Sequence, residues 1–351
     1  MRLLSVVGAR PQFVKLAPVA AECARRKIDH VIVHTGQHYE TALSEVFFTD
    51  LGIEDAHVHL SVGSGTHGAQ TAAILERLEP VLTQRRPDWV MVYGDTNSTL
   101  AGALTAVKLR LPVAHLEAGL RSFNRAMPEE PNRVLTDHAA DLLLAPTTTA
   151  MQHLAAEGLG SRSRLVGDVM VDVLHRQRAS LGHADAVLAR LHVVGGTYSV
   201  ATIHRAENTD DPVRLEAIVA TLARLGHRVV LLVHPRLRDR AAEHGVRLDR
   251  GALRSHDPLA YAELVALVDR ARGVITDSGG LQKEAFVLGV PCTTVRRETE
   301  WVETLENGWN VLVEPGAELV SAASRPRPEP TSAAPYGTGR AAAAALDALG
   351  C

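Results

Sequence analysis

The sequence predicts an α/β protein built from two doubly wound parallel sheets, one in each half of the chain. Three observations predict it. The apolar runs are short and lack polar alternation, as in strands buried on both faces. They are separated by amphipathic, helix-like stretches in β-α-β order. The pattern stops and restarts near the middle of a chain of 351 residues, a length beyond what one core ordinarily supports.

In the first half the predicted strands are Leu3–Val7, His30–Thr35, Trp89–Tyr93, Val113–Leu116 and Leu142–Ala145. Each is rich in Val, Ile or Leu and runs into polar loop residues. Helices fall between them, for example Gly102–Lys108 with its flanks and Asn132–Ala140. The polar, helical stretch 169–196, closed by Gly195-Gly196, marks a boundary. Tyr198–Ile203, Val229–Val233, Val274–Thr276 and Thr293–Val295 then supply a second set of strands. The expected domains are 1–170, carrying the candidate carboxylates, and 171–337, followed by a C-terminal helix within 338–351 placed to pack back on the first domain. Ser321–Pro335, with four prolines among Ser and Ala, reads as loop, and Ala341–Leu349 as helix. Two such domains would face a central cleft at their strand C-termini, where ligands bind in sheets of this kind.

Composition narrows the function classes. A net charge of -3 gives no basic field for nucleic acid or a membrane surface. No apolar run approaches the roughly 20 residues that span a bilayer. The apolar start, Leu3–Val7, runs into Gly8-Ala9-Arg10-Pro11 without a cleavage region, and so reads as a first strand and its turn rather than a leader. Three dispersed cysteines, Cys23, Cys292 and Cys351, suggest neither a disulfide framework nor a zinc site, and favour a cytoplasmic location.

The polar signals cluster just past strand ends. After the first strand comes Gly8–Lys15, with Arg10 and Lys15 as cations beside a glycine turn. After Tyr93 comes Gly94-Asp95-Thr96-Asn97, where Asp95 also suits a helix N-cap. After Leu116 comes Glu117, which a cap explains poorly. Glu129 and Glu130 follow, also readable as the acidic first turn of a helix. Three acids at or beyond successive strand ends can converge on one cleft. In the second half His204-Arg205 and His234-Pro235-Arg236 end strands. In Thr276-Asp277-Ser278-Gly279-Gly280 a strand stops and a helix starts, which exposes N–H groups suited to phosphate; Glu284 follows within reach of a ribose diol. Gly63-Ser64-Gly65-Thr66-His67-Gly68 fits G-x-G-x-x-G and follows a candidate strand, His57–Val62, but that strand is polar and His-rich, unlike a buried first strand. The glycine stretch reads as a flexible loop rather than a nicotinamide site.

These segments, GARPQFVKLAPV (8–19), TGQHYE (35–40), YGDTNST (93–99), HLEAGLRS (115–122), MPEEPNR (127–133), VGDVMVD (166–172), HRAEN (204–208), HPR (234–236) and DSGGLQKEA (277–285), stand in the order found in one family. The sequence resembles the non-hydrolysing UDP-N-acetylglucosamine 2-epimerases, over most of residues 1–313. Within them it looks most like the archaeal-type enzymes and the epimerases of UDP-2,3-diacetamido-2,3-dideoxyglucuronic acid. The resemblance implies a Rossmann-like, glycosyltransferase B type fold, a homodimer, a UDP-sugar substrate, and roles in polysaccharide or antibiotic biosynthesis. It implies acid–base roles for Asp95, Glu117 and Glu129, and stabilisation of the departing diphosphate by Arg10, Lys15 and His204. Ser278 and Gly279 would donate backbone hydrogen bonds to it, Gly280 would shape the turn, and Glu284 would hold the ribose. Arg133 and His234 are further candidates near the cleft. The segment after Gln37-His38 lacks the Met-Leu-Asp-Gln pattern that the family ties to an activator site.

The chemistry agrees with these residue types. The C2 proton of a 2-acetamido sugar is not α to a carbonyl, so C2 is inverted either by oxidising a neighbouring carbon or by expelling the anomeric group. The second route needs a phosphate grip, cations and carboxylates, with no metal and no cofactor. The competing readings are a glycosyltransferase of the same fold, a hydrolysing relative that releases N-acetylmannosamine, and a non-catalytic sugar-nucleotide sensor.

Overall fold

The computed structural model describes residues 1–37, 53, 55–179, 184–330 and 334–351, without the side chains of Arg10 and Ala179. The segment that follows Gln37, where the activator pattern is missing, lies outside the described residues. The chain divides into two compact units: Met1–Val173 with Ala334–Cys351, and Leu174–Ala333.

The first unit runs β1 (Arg2–Val7), α1 (Arg10–Arg26), β2 (Asp29–His34), β3 (Val58–His59), α2 (His67–Arg85), β4 (Trp89–Tyr93), α3 (Asn97–Lys108), β5 (Val113–Leu116), α4 (Glu129–Ala139), β6 (Leu142–Ala145), α5 (Thr148–Ala156) and β7 (Ser163–Leu165). The unit boundary falls inside α6 (Val169–Ala179). The second unit runs α7 (Ala184–Arg190), β8 (Tyr198–Thr202), α8 (Ala206–Thr209), α9 (Pro212–Ala223), β9 (Arg228–Leu232), α10 (Pro235–Glu243), β10 (Leu253–His256), α11 (Tyr261–Asp269), β11 (Gly273–Thr276), α12 (Gly279–Val287), β12 (Cys292–Thr294), β13 (Asn310–Leu312) and α13 (Ala317–Ser324). The last helix, α14 (Ala341–Ala348), belongs to the first unit.

Both sheets are parallel and share one winding. Their orders are β3-β2-β1-β4-β5-β6-β7 and β10-β9-β8-β11-β12-β13. The expected doubly wound α/β class is therefore what the chain adopts. The cores show why its strands read as unbroken apolar runs. Tyr198, Val200, Val230 and Leu232 point into one core of the second unit, while Ala201, Val229 and Leu231 point into the other. Successive side chains face opposite sides of a strand, so a sheet covered on both faces needs apolar residues at every position. In the first unit Leu3, Val7, Met91, Tyr93 and Leu116 pack with Ala341, Ala342, Ala345 and Leu346 of α14.

Three differences from the sequence reading have physical causes. The run His57–Val62 pairs only at Val58 and His59, against Val33 and His34. Strands β7, β10 and β13 were not anticipated: Ser-Arg-Leu, Leu-Arg-Ser-His and Asn-Val-Leu are short and partly polar, and each lies at a sheet edge. The irregular stretch expected from Ser321 starts later, because Ala and Ser extend α13 to Ser324. Among the described residues no helix is long and apolar enough to cross a membrane.

Candidate active site

In each sheet the winding reverses between the first strand and the fourth: β1 lies beside β4, and β8 beside β11. Such switch points open a crevice at the strand C-termini. Gly8–Lys15 follows β1 and Asp95 follows β4; His204 follows β8 and Ser278 follows β11.

In the first unit four predicted side chains meet. Lys15 of α1 forms an ion pair with Glu117, and both are largely buried. A Cβ placed on Gly94 would lie 3.0 Å from Lys15 Nζ and 3.4 Å from Glu117 Oε2, so the pair sits against the turn that carries Asp95. Burial alone would pull the Lys15 ammonium down, but Glu117, Asp95 and Asp168 together hold it above the ordinary lysine pKa. Asp95 Oδ2 accepts from Arg133 Nη2 at 2.6 Å and Nε at 3.0 Å. Arg133 also donates to Glu130 at 3.0 Å. The Arg133 side chain is 7% exposed. Expected as a cation near the substrate, it instead spends its guanidinium on two carboxylates.

Glu117 has φ 73°, a left-handed backbone that costs a non-glycine residue energy. The turn persists because its groups are tied down: Leu144 O accepts from the N–H of Glu117 and of Ala118. Glu129 opens α4 and is half-buried, so the acidic first turn is real. The α4 contacts to the Asp95 turn run through Asn132, which donates to Asp95 O at 3.0 Å, and through Arg133. Glu130 accepts from Ser122 N, Ser122 Oγ and Phe123 N; burial would raise its carboxyl, but these donors and Arg133 hold it below the usual range. Arg10 begins α1, and its side chain is outside the description.

Gly8 has a steric reason to be glycine. Its Cβ would fall 2.0 Å from Thr35 Oγ1 and 2.3 Å from Ser98 Oγ, which are themselves hydrogen-bonded at 2.8 Å. Gln12, absent from the candidate residues, joins two motif loops: its Oε1 accepts from Gly8 N and Ala9 N, and its Nε2 donates to Tyr93 O and Thr99 Oγ1.

In the second unit the missed residue is Asp277. Fully buried, it accepts from the N–H of His204 and Arg205 and from Asn208 Nδ2, all within 2.9–3.1 Å. It thereby ties the turn after β8 to the start of α12. His204 Nδ1 lies 3.2 Å from Asp277 Oδ1, and its ring centroid is 5.3 Å from that of His234, which opens α10. Ser278 caps α12 without a side-chain hydrogen bond to it. A Cβ on Gly279 would lie 2.3 Å from Glu300 Oε1, whereas one on Gly280 would meet nothing within 4 Å. Neither glycine has a positive φ, so Gly280 leaves the helix start open rather than shaping a turn. Glu284 Oε1, buried on α12, accepts from Tyr261 at 2.9 Å. A carboxylate, two imidazoles and an open helix N-terminus together suit an anionic ligand bearing hydroxyls.

The G-x-G-x-x-G stretch lacks the dinucleotide geometry. A Cβ on Gly65 or on Gly68 would meet nothing within 4 Å, whereas the last glycine of that fingerprint permits close helix–strand contact.

Residues 21–350 match the family described as UDP-N-acetylglucosamine 2-epimerase. The chain is 45% identical over 326 residues to a UDP-N-acetylglucosamine 2-epimerase homolog of Methanococcus maripaludis, covering 91% of this chain and 90% of that one. It is also 45% identical over 336 residues to the UDP-2,3-diacetamido-2,3-dideoxy-D-glucuronate 2-epimerase of Pseudomonas aeruginosa, covering 93% and 92%. The Methanocaldococcus jannaschii UDP-GlcNAc 2-epimerase in complex with UDP-GlcNAc and UDP superposes with TM-score 0.89 at 38% identity, over 100% of this chain and 99% of that one. On this agreement of profile, relatives and fold, the chain belongs to the UDP-N-acetylglucosamine 2-epimerase family.

Proposed function

We propose that this isomerase interconverts UDP-N-acetylglucosamine and UDP-N-acetylmannosamine by expelling UDP from C1 and returning it. The observation that carries the reading is the close grouping of Asp95, Glu117, Lys15 and Arg133 at the first sheet's switch point, where each carboxylate has its own cation.

The C1–O bond breaks through an oxocarbenium-like transition state, and its electron pair leaves with UDP. A carboxylate takes the C2 proton, and the C2–H electrons form the C1–C2 double bond of a 2-acetamidoglucal. Protonation of C2 from the opposite face and return of UDP oxygen to C1 give the epimer. Two faces call for two acid–base positions, which suits Asp95 and Glu117, with Glu129 a third carboxylate at the start of α4. Arg10, Lys15 and His204 act on the diphosphate charge, and His234 stands beside His204. The backbone of Ser278 and Gly279 binds phosphate at the start of α12, Gly280 keeps that start open, and Glu284 takes the ribose. Arg133 works through Asp95, fixing the direction of its carboxylate. The enzyme acts as a cytoplasmic homodimer on its UDP-sugar, with no nucleic acid or membrane partner.

The test is the isotope balance at C2 and C1. In deuterium oxide the product gains deuterium at C2, and oxygen-18 in the C1 bridge scrambles; retention of the C2 hydrogen refutes the mechanism. Asp95→Asn and Glu117→Gln each lower turnover by about 100-fold or more. The equal identity to the Pseudomonas aeruginosa enzyme favours a second substrate, UDP-2,3-diacetamido-2,3-dideoxyglucuronate. Proton NMR of C2 with each UDP-sugar separates the two, and also separates both from a transferase, which leaves a UDP-sugar given alone unchanged.

A further inference from the structure

We propose that Asp137, acting with His115, is the positioning residue that holds the three acid-bearing segments of the first unit in register. Neither side chain is exposed, and neither can touch substrate. Asp137 lies on α4, eight residues after Glu129. Its Oδ2 accepts from Gly119 N at 3.0 Å, which closes the turn begun by Glu117. Its Oδ1 faces His115 Nδ1 at 2.7 Å, and His115 Nε2 lies 2.7 Å from the carbonyl of Gly94, the residue before Asp95. One carboxylate therefore reaches the Glu117 turn directly, the Asp95 turn through one imidazole, and Glu129 through its own helix.

The chemistry of these contacts is demanding. A carbonyl oxygen only accepts, so His115 Nε2 donates to Gly94 while Nδ1 faces the carboxylate. Oδ2 also takes Arg121 Nη1 at 2.7 Å, and Arg121 is clamped by Glu157 at 2.7 and 2.8 Å. Burial opposes the Asp137 charge, but His115 and Arg121 hold its carboxyl below the usual range. The strained Glu117 backbone needs such fixing, since a turn held at positive φ relaxes when its anchors are cut. The sequence carries the pair only as a polar residue in a buried strand and another on the inner face of a helix.

The assignment rests on Asp95 and Glu117 being the proton-transfer groups, and its test keeps the two claims apart. Amide exchange of the full-length protein is followed by mass spectrometry in peptides covering 94–96 and 117–121, beside epimerase kinetics and UDP titration. Asp137→Asn lowers protection in 117–121 by about 10-fold or more. It also lowers kcat by about 10- to 100-fold, while KM and the Kd for UDP stay within about threefold, because the Asp137 carboxylate bonds His115, Gly119 and Arg121 and none of the residues proposed to hold the diphosphate. His115→Gln lowers protection at 94–96 and leaves 117–121 protected, and it carries the test alone if Asp137→Asn does not fold. Unchanged exchange in both segments, or loss spread evenly over the first unit, overturns the proposal. If Asp95→Asn and Glu117→Gln keep full turnover, the acid–base reading falls while the exchange result stands; if they lose turnover and Asp137→Asn keeps it, only the positioning role falls.

Discussion

Gly119→Ala tests the Glu117 turn where its geometry is tightest. Gly119 has φ 84°, and an added Cβ would lie 2.5 Å from Ala150 O and 2.9 Å from Leu154 Cγ, both in α5. A left-handed alanine costs about 1 kcal/mol. Relieving the contact with a backbone carbonyl needs a retreat of roughly 1 Å, and such overpacking costs about 1–3 kcal/mol. The sum, about 2–4 kcal/mol, corresponds to a Tm lower by roughly 5–15 °C. Glu117 is two residues away, and a displacement near 1 Å at a reacting group costs about 100-fold in kcat. Differential scanning calorimetry and NMR-monitored epimerisation read both numbers. Gly65→Ala is the control: its Cβ meets open space and its φ is not positive, so both readings stay at the parent values. A Gly119→Ala protein that melts within 2 °C of the parent and turns over within about threefold of it would refute the reasoning.

Gly8→Ala drives a methyl into the hydrogen-bonded Thr35–Ser98 pair, and should lower stability by about 2–4 kcal/mol in urea titration. Arg325→Met removes donors to the carbonyls of Cys292, Gly308, Trp309 and Ala322, and should cost about 2–4 kcal/mol by the same measurement. Burial pushes His30 and His34 down to about 4 in the folded chain. Both bind protons more readily when unfolded, so their contribution is complete above about pH 6.5 and is lost as pH falls toward 4. That loss is on the order of 3 kcal/mol for each. His34→Gln should therefore flatten the fall in Tm between pH 7 and pH 5; an unchanged slope would remove His34 from the account.

Strands β4, β5 and β6 were legible because Trp-Val-Met-Val-Tyr, Val-Ala-His-Leu and Leu-Leu-Leu-Ala must be apolar on both faces. The edge strands β7, β10 and β13 were not, because their partly exposed positions admit Arg, Ser and His. In the site, strand-end placement marked the motif positions, but not what each residue does. Asp277 meets His204 from 73 residues away, and Arg133 meets Asp95 from 38. Such pairings have no local period. Arg133 therefore read only as a further candidate near the cleft, and Asp137 and Gln12 were not singled out. The packing around the glycines was hidden for the same reason. Gly8 read as part of a turn, and its sequence gives no sign that Thr35 and Ser98 exclude a side chain there.

The first unit takes its last helix, α14, from beyond the second unit in the sequence. Asp172 accepts from the N–H of Ala341 and Ala342, and Arg26 of α1 donates to Asp347 and to Cys351 O. During synthesis, then, the half that is made first is finished last. Its interior stays open along one side until residues 341–348 leave the ribosome, whereas everything the second unit needs has by then been translated. A chain stopped short of Ala341 would join the back half to a front half whose core, Leu3, Leu16 and Met91 included, lacks the apolar face of α14, a species for chaperones and proteases to sort.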